Sequence, residues 1–189
     1  ITVHKNLLTY KSNIFRNFNF GISNYLKKYD EPFFHHKKIL YEKNLIIDGY
    51  FQSEKYFSNH REELVKLFSI DDFNKNLLEK KYGHIDFENS CSIHVRRGDY
   101  LKYVNIHPTL SIEYYQKCVS ETLSKNILIF SDDILWCKEN LIIQDKNVIF
   151  IEGNTDYNDL WLMSMCCENI IANSTFSWWG AWLNNNKNK

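Results

Sequence analysis

Ser92-Ile-His-Val-Arg-Arg-Gly-Asp-Tyr100 is an apolar, strand-like run that ends abruptly in two arginines, a glycine and an aspartate. Strand interiors have no use for adjacent guanidiniums, so the pair belongs where the strand emerges into a loop. The planar guanidinium fork makes two parallel charge-assisted hydrogen bonds to a phosphate. Arginines at a strand end therefore point to a polyphosphate or sugar-nucleotide site.

Outward from this stretch the pattern becomes regular. Cys91–Val95 reads as a strand and Ile112–Leu123 as an amphipathic helix. A second strand is expected over Ile127–Phe130, then a short helix over Ile134–Asn140 and a third strand over Val148–Ile151. Tyr157–Cys167 reads as another amphipathic helix, Ile170–Ala172 as a short fourth strand and Thr175–Leu183 as a closing helix. Short apolar strands alternating with helices predict an α/β fold, a parallel sheet with helices on both faces. Such sheets bind ligands at the carboxyl ends of their strands. Arg96-Arg97, Ser131-Asp132-Asp133, Glu152-Gly153 and Asn173-Ser174 all fall there. The first 90 residues are less regular: Leu45–Asp48 reads as a strand and Glu54–Phe68 as a helix. The polar tail Asn184–Lys189 reads as frayed, or as a stop before a further strand.

The 189 residues suffice for one sizeable α/β domain, alone or with a fragment of a second. The 23 basic and 23 acidic residues cancel, which gives no reason to expect a nucleic-acid partner. The His35-His36-Lys37-Lys38 cluster reads as solvated surface. No run approaches the roughly 20 apolar residues of a membrane span. Five cysteines, odd in number and without CxxC spacing, read as reduced, mostly buried thiols of a cytoplasmic protein. Ile1 opens no recognisable targeting segment, and the expectation is that the natural N-terminus lies upstream.

No two glycines have the spacing of a dinucleotide fingerprint, and Gly-Lys-Ser/Thr is absent. A phosphate would then be held by side chains and a helix N-terminus. Asn173-Ser174-Thr175-Phe176-Ser177 follows a strand and could aim free N–H groups at an anion, or Ser174 could simply cap a structural helix. The same residues form a glycosylation sequon, incidental in a reduced-thiol chain. Asp-x-Asp and HExxH are both absent. Asp132-Asp133 could bind Mg²⁺ with a phosphate, or Asp132 could accept from a ribose or orient an arginine. Nothing resembles a Gly-x-Ser-x-Gly elbow. Trp178 and Trp182 share a helix face, where docking of the helix on the sheet is a stronger reading than sugar stacking.

HVRRGDY (His94 to Tyr100), SIEYYQKCV (Ser111 to Val119), FSDD (Phe130 to Asp133) and NSTFSWWGAWL (Asn173 to Leu183) occur in order. Together they closely resemble the α-1,2-fucosyltransferases of glycosyltransferase family 11, of the bacterial type. GYFQSEKYF (Gly49 to Phe57) extends the likeness, which covers about residues 45 to 183. The HxRRxD pattern is shared with α-1,6- and protein O-fucosyltransferases, whereas NSTFSWWGAWL decides the subfamily.

The resemblance implies a GT-B-like fold of two Rossmann-type domains, of which this chain holds the C-terminal, donor-binding half. Residues 1–88 would be a partial N-terminal or linker region, mostly helical, and 89–189 the Rossmann-like GDP-sugar-binding domain. It implies inverting, metal-independent transfer of L-fucose from GDP-β-L-fucose to the 2-OH of a terminal galactose. No cofactor is expected, since GDP-fucose is a substrate. The partners would be that donor and a galactose-terminated glycan, in the cytoplasm, with peripheral attachment at the inner face of the membrane compatible with the reading. By similarity Arg96 bridges the GDP phosphates, with Arg97 and Asp99 shaping the same loop and Asp99 the candidate base. His94 lies near the nucleotide, Asp132 near ribose or guanine, and Asn173, Ser174, Thr175 and Ser177 at the phosphates. No acceptor residue is implied. The family's GGLGNQMFQYA-like opening is missing, as is the strand after the tryptophan helix. The alternatives are a GDP-fucose transferase of different linkage, or a truncated module that binds nucleotide without transfer.

Overall fold

The structure, a computed structural model, describes residues 27–32, 35–40 and 43–186. Residues 1–26 of the expected N-terminal region and 187–189 of the expected tail lie outside them. Contacts divide the chain into Ile1–Asn59 and His60–Lys189. In the first unit β1 (Lys27–Asp30) and β2 (Leu45–Asp48) form a parallel pair, in register from Lys27↔Leu45 to Asp30↔Asp48. Leu45–Asp48 is thus the strand its sequence suggests.

The single helix expected over Glu54–Phe68 is broken into 3-10 turns at Glu54–Tyr56 and Ser58–His60 and a helix, α1 (Arg61–Leu67). Phe57 stops the first turn at φ −142°. Ser58, Asn59 and His60 then follow, and serine and asparagine compete with helix by bonding nearby backbone.

The second unit holds α1, α2 (Asp72–Tyr82) and a four-stranded sheet of β3 (Ser90–Val95), β4 (Asn126–Ser131), β5 (Asn147–Phe150) and β6 (Glu168–Ile170). The order is β5-β4-β3-β6, and every pairing is parallel. The links are α3 (Ile112–Glu121), α4 (Ile134–Asn140) and α5 (Asp156–Met165), and α6 (Thr175–Leu183) follows β6. All six residues of β3 are buried, as a central strand covered on both faces requires. Cys91, Ile93 and Val95 pack with Ile127 and Ile129 beneath Tyr115 and Val119 of α3 and Cys137 of α4. Ser92 and His94 face the other side, where Ser92 Oγ accepts from Asn169 and His94 meets Phe176 of α6. A parallel sheet with helices on both faces is the Rossmann-like architecture the alternation predicted.

Three features fix α6. Gly180 lies against α5 so closely that a Cβ would fall 2.1 Å from Met163 Cε. The Arg61 guanidinium sits 4.5 Å from the Trp182 ring centre and donates to the Trp182 and Asn184 carbonyls. It thereby satisfies acceptors that a helix C-terminus leaves open. Trp179 stacks on Phe68 at 5.2 Å, so Trp179 and Trp182 meet residues of α1 and its C-cap, where their sequence suggested docking on the sheet. The tail does not fray at once, because Asn184 is buried and its Nδ2 donates to Cys166 O and Asn169 Oδ1.

All five cysteines are free, and burial pushes the Cys91 thiol up to about 12. Among the described residues no helix is long and apolar enough to cross a membrane.

Candidate functional site

The sheet order creates one special crevice. From β3 the chain winds outward through β4 to β5, then returns to the opposite side of β3 to lay down β6. Crossovers of one hand put successive helices on opposite faces when the winding reverses. The loops after β3 and β6 therefore lead to helices on opposite faces of the sheet, the point at which such folds bind ligands. Arg96-Arg97 follows β3, and Asn173-Ser174 follows β6.

Asp132, after β4, organises the arginine loop. Its Oδ1 accepts the Arg97 backbone N–H at 2.9 Å, and its Oδ2 lies 3.1 Å from Arg96 Nη1. Gly98 makes room for it, since a Cβ there would fall 2.5 Å from Oδ2. Arg96 Nη2 donates to Asp99 Oδ1 at 2.6 Å, and its guanidinium lies 5.5 Å from the Tyr100 ring centre. Arg97 turns elsewhere. Its Nε donates to Asp133 at 3.1 Å, its guanidinium lies 3.6 Å from the Trp136 ring centre, and its side chain is only 15% exposed. The two arginines thus differ: Arg97 is built into the wall, and Arg96 is the more exposed, held between Asp99 and Asp132.

On the far side, Ser174 is the N-cap of α6 in extended conformation, and its side chain makes no capping hydrogen bond. The N–H groups of the first helical turn thus receive no acceptor from it, and they carry the positive end of the helix dipole. Asn173 and Thr175 are exposed beside it. Ser177, expected at the phosphates, points inward instead: it is fully buried and its Oγ accepts the Ala172 N–H at 2.8 Å. That bond and the Tyr114 hydroxyl on Ile171 O at 2.8 Å satisfy backbone just past β6. They explain why β6 ends at Ile170, two residues before the expected Ala172. The two walls are joined by the Tyr100 hydroxyl donating to Asn173 O at 3.0 Å and Asn173 Nδ2 donating to Pro108 O at 2.9 Å.

His94 lies one residue inside the end of β3, 5% exposed, with its ring 5.1 Å from that of Phe176. Burial pulls its pKa down to about 4, and Arg96 pulls the same way against Asp132, so the imidazole is neutral at pH 7. Its Nδ1 is buried and has no hydrogen-bond partner, which costs free energy unless something meets it.

The structure thus gathers Arg96, Asp99, Asp132 and His94 on one wall and Asn173, Ser174 and Thr175 on the other. Asp132 pairs with the Arg96 guanidinium and Asp133 with that of Arg97. No group of three potential metal ligands converges among the described residues. Sequence reasoning passed over Asp133 and Trp136 as the seat of Arg97, although the second aspartate of FSDD was a visible signal. It also passed over Asp159, which Asn154 Nδ2 meets at 2.8 Å beside the carboxyl end of β5. Burial raises Asp159 to about 6. No local signal marks it, because the network around Asn154 includes Lys81 and Tyr82 of α2, more than 70 positions away.

Comparison with known proteins places the chain in a family. The model of the family described as Glycosyl transferase family 11 matches residues 3–188. An alpha-1,2-colitosyltransferase of Escherichia coli is 43% identical over 148 residues, 72% of this chain and 50% of that protein. An O-antigen biosynthesis glycosyltransferase of the same organism is 32% identical over 170 residues, 83% of this chain and 56% of that protein. A galactoside 2-alpha-L-fucosyltransferase of Caenorhabditis elegans is 29% identical over 160 residues, 77% of this chain and 44% of that protein. The chain spans about half the length of these relatives. Its motifs, its sheet and a match over nearly every residue lead to one assignment: the chain belongs to glycosyl transferase family 11.

Proposed function

We propose that this chain forms the donor-binding half of a galactoside α-1,2-fucosyltransferase, which moves L-fucose from GDP-β-L-fucose to the 2-OH of a terminal galactose with inversion and without a metal. The observation that carries the reading is the crevice between β3 and β6, with Arg96 on one side and the α6 N-terminus on the other. A diphosphate seated there meets a guanidinium fork and a helix dipole together. The neutral His94 ring and its unpartnered Nδ1 lie just beneath the same loop.

The chemistry follows from where charge grows. As the acceptor hydroxyl oxygen attacks the fucose anomeric carbon, the bond to the β-phosphate oxygen breaks, its electron pair leaves with GDP, and the hydroxyl proton passes to a general base. Arg96 and the α6 N–H groups bind that growing charge more strongly in the transition state than in the ground state. Arg96→Ala should slow turnover by about 10²–10³-fold, the cost of one such donor. A folded Arg96→Ala enzyme with near-normal turnover would refute the assignment.

The decisive assay incubates the full-length protein with GDP-fucose and a panel of galactosides in EDTA, with linkage read by NMR. Fucose on the 2-OH supports the reading, and loss of all activity in EDTA contradicts the metal-free part. A second donor belongs in the panel, because the 43% identical relative is named as a colitosyltransferase. Colitose is fucose without its 3-hydroxyl, so GDP-colitose presents the same diphosphate to Arg96. Faster transfer from GDP-colitose would reassign the sugar and leave the diphosphate site unchanged.

A further inference from the structure

Arg96 is held between two carboxylates. Nη2 donates to Asp99 at 2.6 Å, and Nη1 lies 3.1 Å from Asp132. With Arg97 on Asp133, two guanidiniums face three carboxylates, so this wall carries one net negative charge. A diphosphate gains little from an arginine already neutralised in this way, and it is repelled by the surplus carboxylate. Release of one carboxylate would free charge and donors of Arg96 for phosphate.

The structure identifies which one. Asp132 is held on both oxygens, by the Arg97 N–H and by Arg96, and its side chain is 25% exposed. Asp99 has one partner in this cluster, is 56% exposed, and opens a single 3-10 turn, Asp99–Lys102. A rotation about its χ1 carries it into water at little cost.

We propose that Asp99 is an internal competitor of the donor diphosphate for Arg96: it leaves the guanidinium when nucleotide binds, and returns to it when GDP departs. Arg96 is thereby kept aligned when the crevice is empty, and the returning carboxylate shortens the residence of the product. This rests on the assignment of Arg96 to the diphosphate, and it inverts the usual expectation for a residue that orients an arginine. Removing an orienting residue weakens binding. Removing a competitor tightens it.

GDP binding to the full-length protein, measured by calorimetry for wild type, Asp99→Asn and Asp99→Ser, separates the two. Asp99→Asn should bind GDP about three- to fivefold tighter, the worth of one partly exposed ion pair, and release it correspondingly more slowly in stopped flow. Asp99→Ser should shift in the same direction. Weaker or unchanged binding in both variants, with wild-type melting temperatures, overturns the proposal. The gain must also run through Arg96. In an Arg96→Gln background, read by phosphorus NMR at millimolar GDP, Asp99→Asn should give a clearly smaller gain, that of relieved repulsion alone. An equal gain there would mean simple charge repulsion and would overturn the competition. Wild-type protein that binds no GDP would instead refute the functional reading itself.

Discussion

Gly98→Ala is the sharpest test of how the arginine loop is built. The new Cβ would lie 2.5 Å from Asp132 Oδ2 and 3.1 Å from its Cγ. Ordinary contact is about 3.5 Å, so the carboxylate must retreat by roughly 1 Å. A flexible acid would do so freely, but this one is tethered by the Arg97 N–H at 2.9 Å and Arg96 Nη1 at 3.1 Å. Retreat stretches at least one of these beyond hydrogen-bonding range. A bond to a charged group contributes about 1.5–3 kcal/mol. Asp132 is partly exposed and water recovers some of that, so about 1–2 kcal/mol should be lost. The melting temperature should fall by a few degrees and GDP affinity by about tenfold, because Arg96 loses its fixed carboxylate. Calorimetry with GDP and thermal melting give the two numbers. Wild-type values for both would refute the argument that the close approach at Gly98 positions the loop. A lower melting temperature with unchanged GDP affinity would show that this loop does not bind the nucleotide.

Two further substitutions address the frame around the site. His94 is held near 4 by burial, against about 6.5 when unfolded. Its contribution is therefore present above pH 6.5 and is lost as the pH falls toward 4, because the unfolded chain takes up the proton first. Relative to His94→Gln, wild type should lose on the order of 3 kcal/mol across that window in urea melts; parallel pH profiles would mean that the imidazole is not buried neutral. Asp159, raised to about 6 by burial, acts in the opposite sense. The native state keeps its proton up to pH 6, so that contribution grows as the pH falls toward 4, and the comparison with His94→Gln cancels it. Gly180→Ala would put a Cβ 2.1 Å from Met163 Cε and 3.1 Å from Met163 Cβ. The thioether end can move but the Cβ cannot, so overpacking of about 1–3 kcal/mol should outweigh alanine's helix preference of about 1 kcal/mol. Thermal melting checks this, and an unchanged or raised melting temperature would refute the tight α5–α6 contact.

Much of the second unit was legible because its apolar periods are clean and its breaks are polar. Ile134–Asn140 and Thr175–Leu183 run as their sequences suggest, with Asp133 capping the first through its side chain. Strands β3, β4 and β5 begin or end within a residue of the apolar runs that announce them. The misses have local causes that involve distant partners. β6 ends early because Ser177 and Tyr114 bond to the backbone beyond it. The Glu54–Phe68 helix breaks where a Ser-Asn-His triplet interrupts it.

The residue types of the site follow the same division. An arginine pair leaving an apolar strand, an aspartate pair leaving the next and a serine-threonine corner before a helix are properties of the sequence, because the charge of a side chain and the period of a strand do not depend on distant contacts. Which arginine is left the more exposed does depend on them. Arg97 is committed to Asp133 and Trp136, 36 and 39 positions away, whereas Arg96 is shared between Asp99 and Asp132. Only the strand order β5-β4-β3-β6 brings the loop after β3 opposite the loop after β6 and makes two polar segments one site. The sequence carried two arginines and two aspartates to adjacent strand ends by residue type alone; the tertiary structure decided which guanidinium is locked against Asp133 and Trp136 and which is shared between Asp99 and Asp132, because those partners meet only when the strands pair.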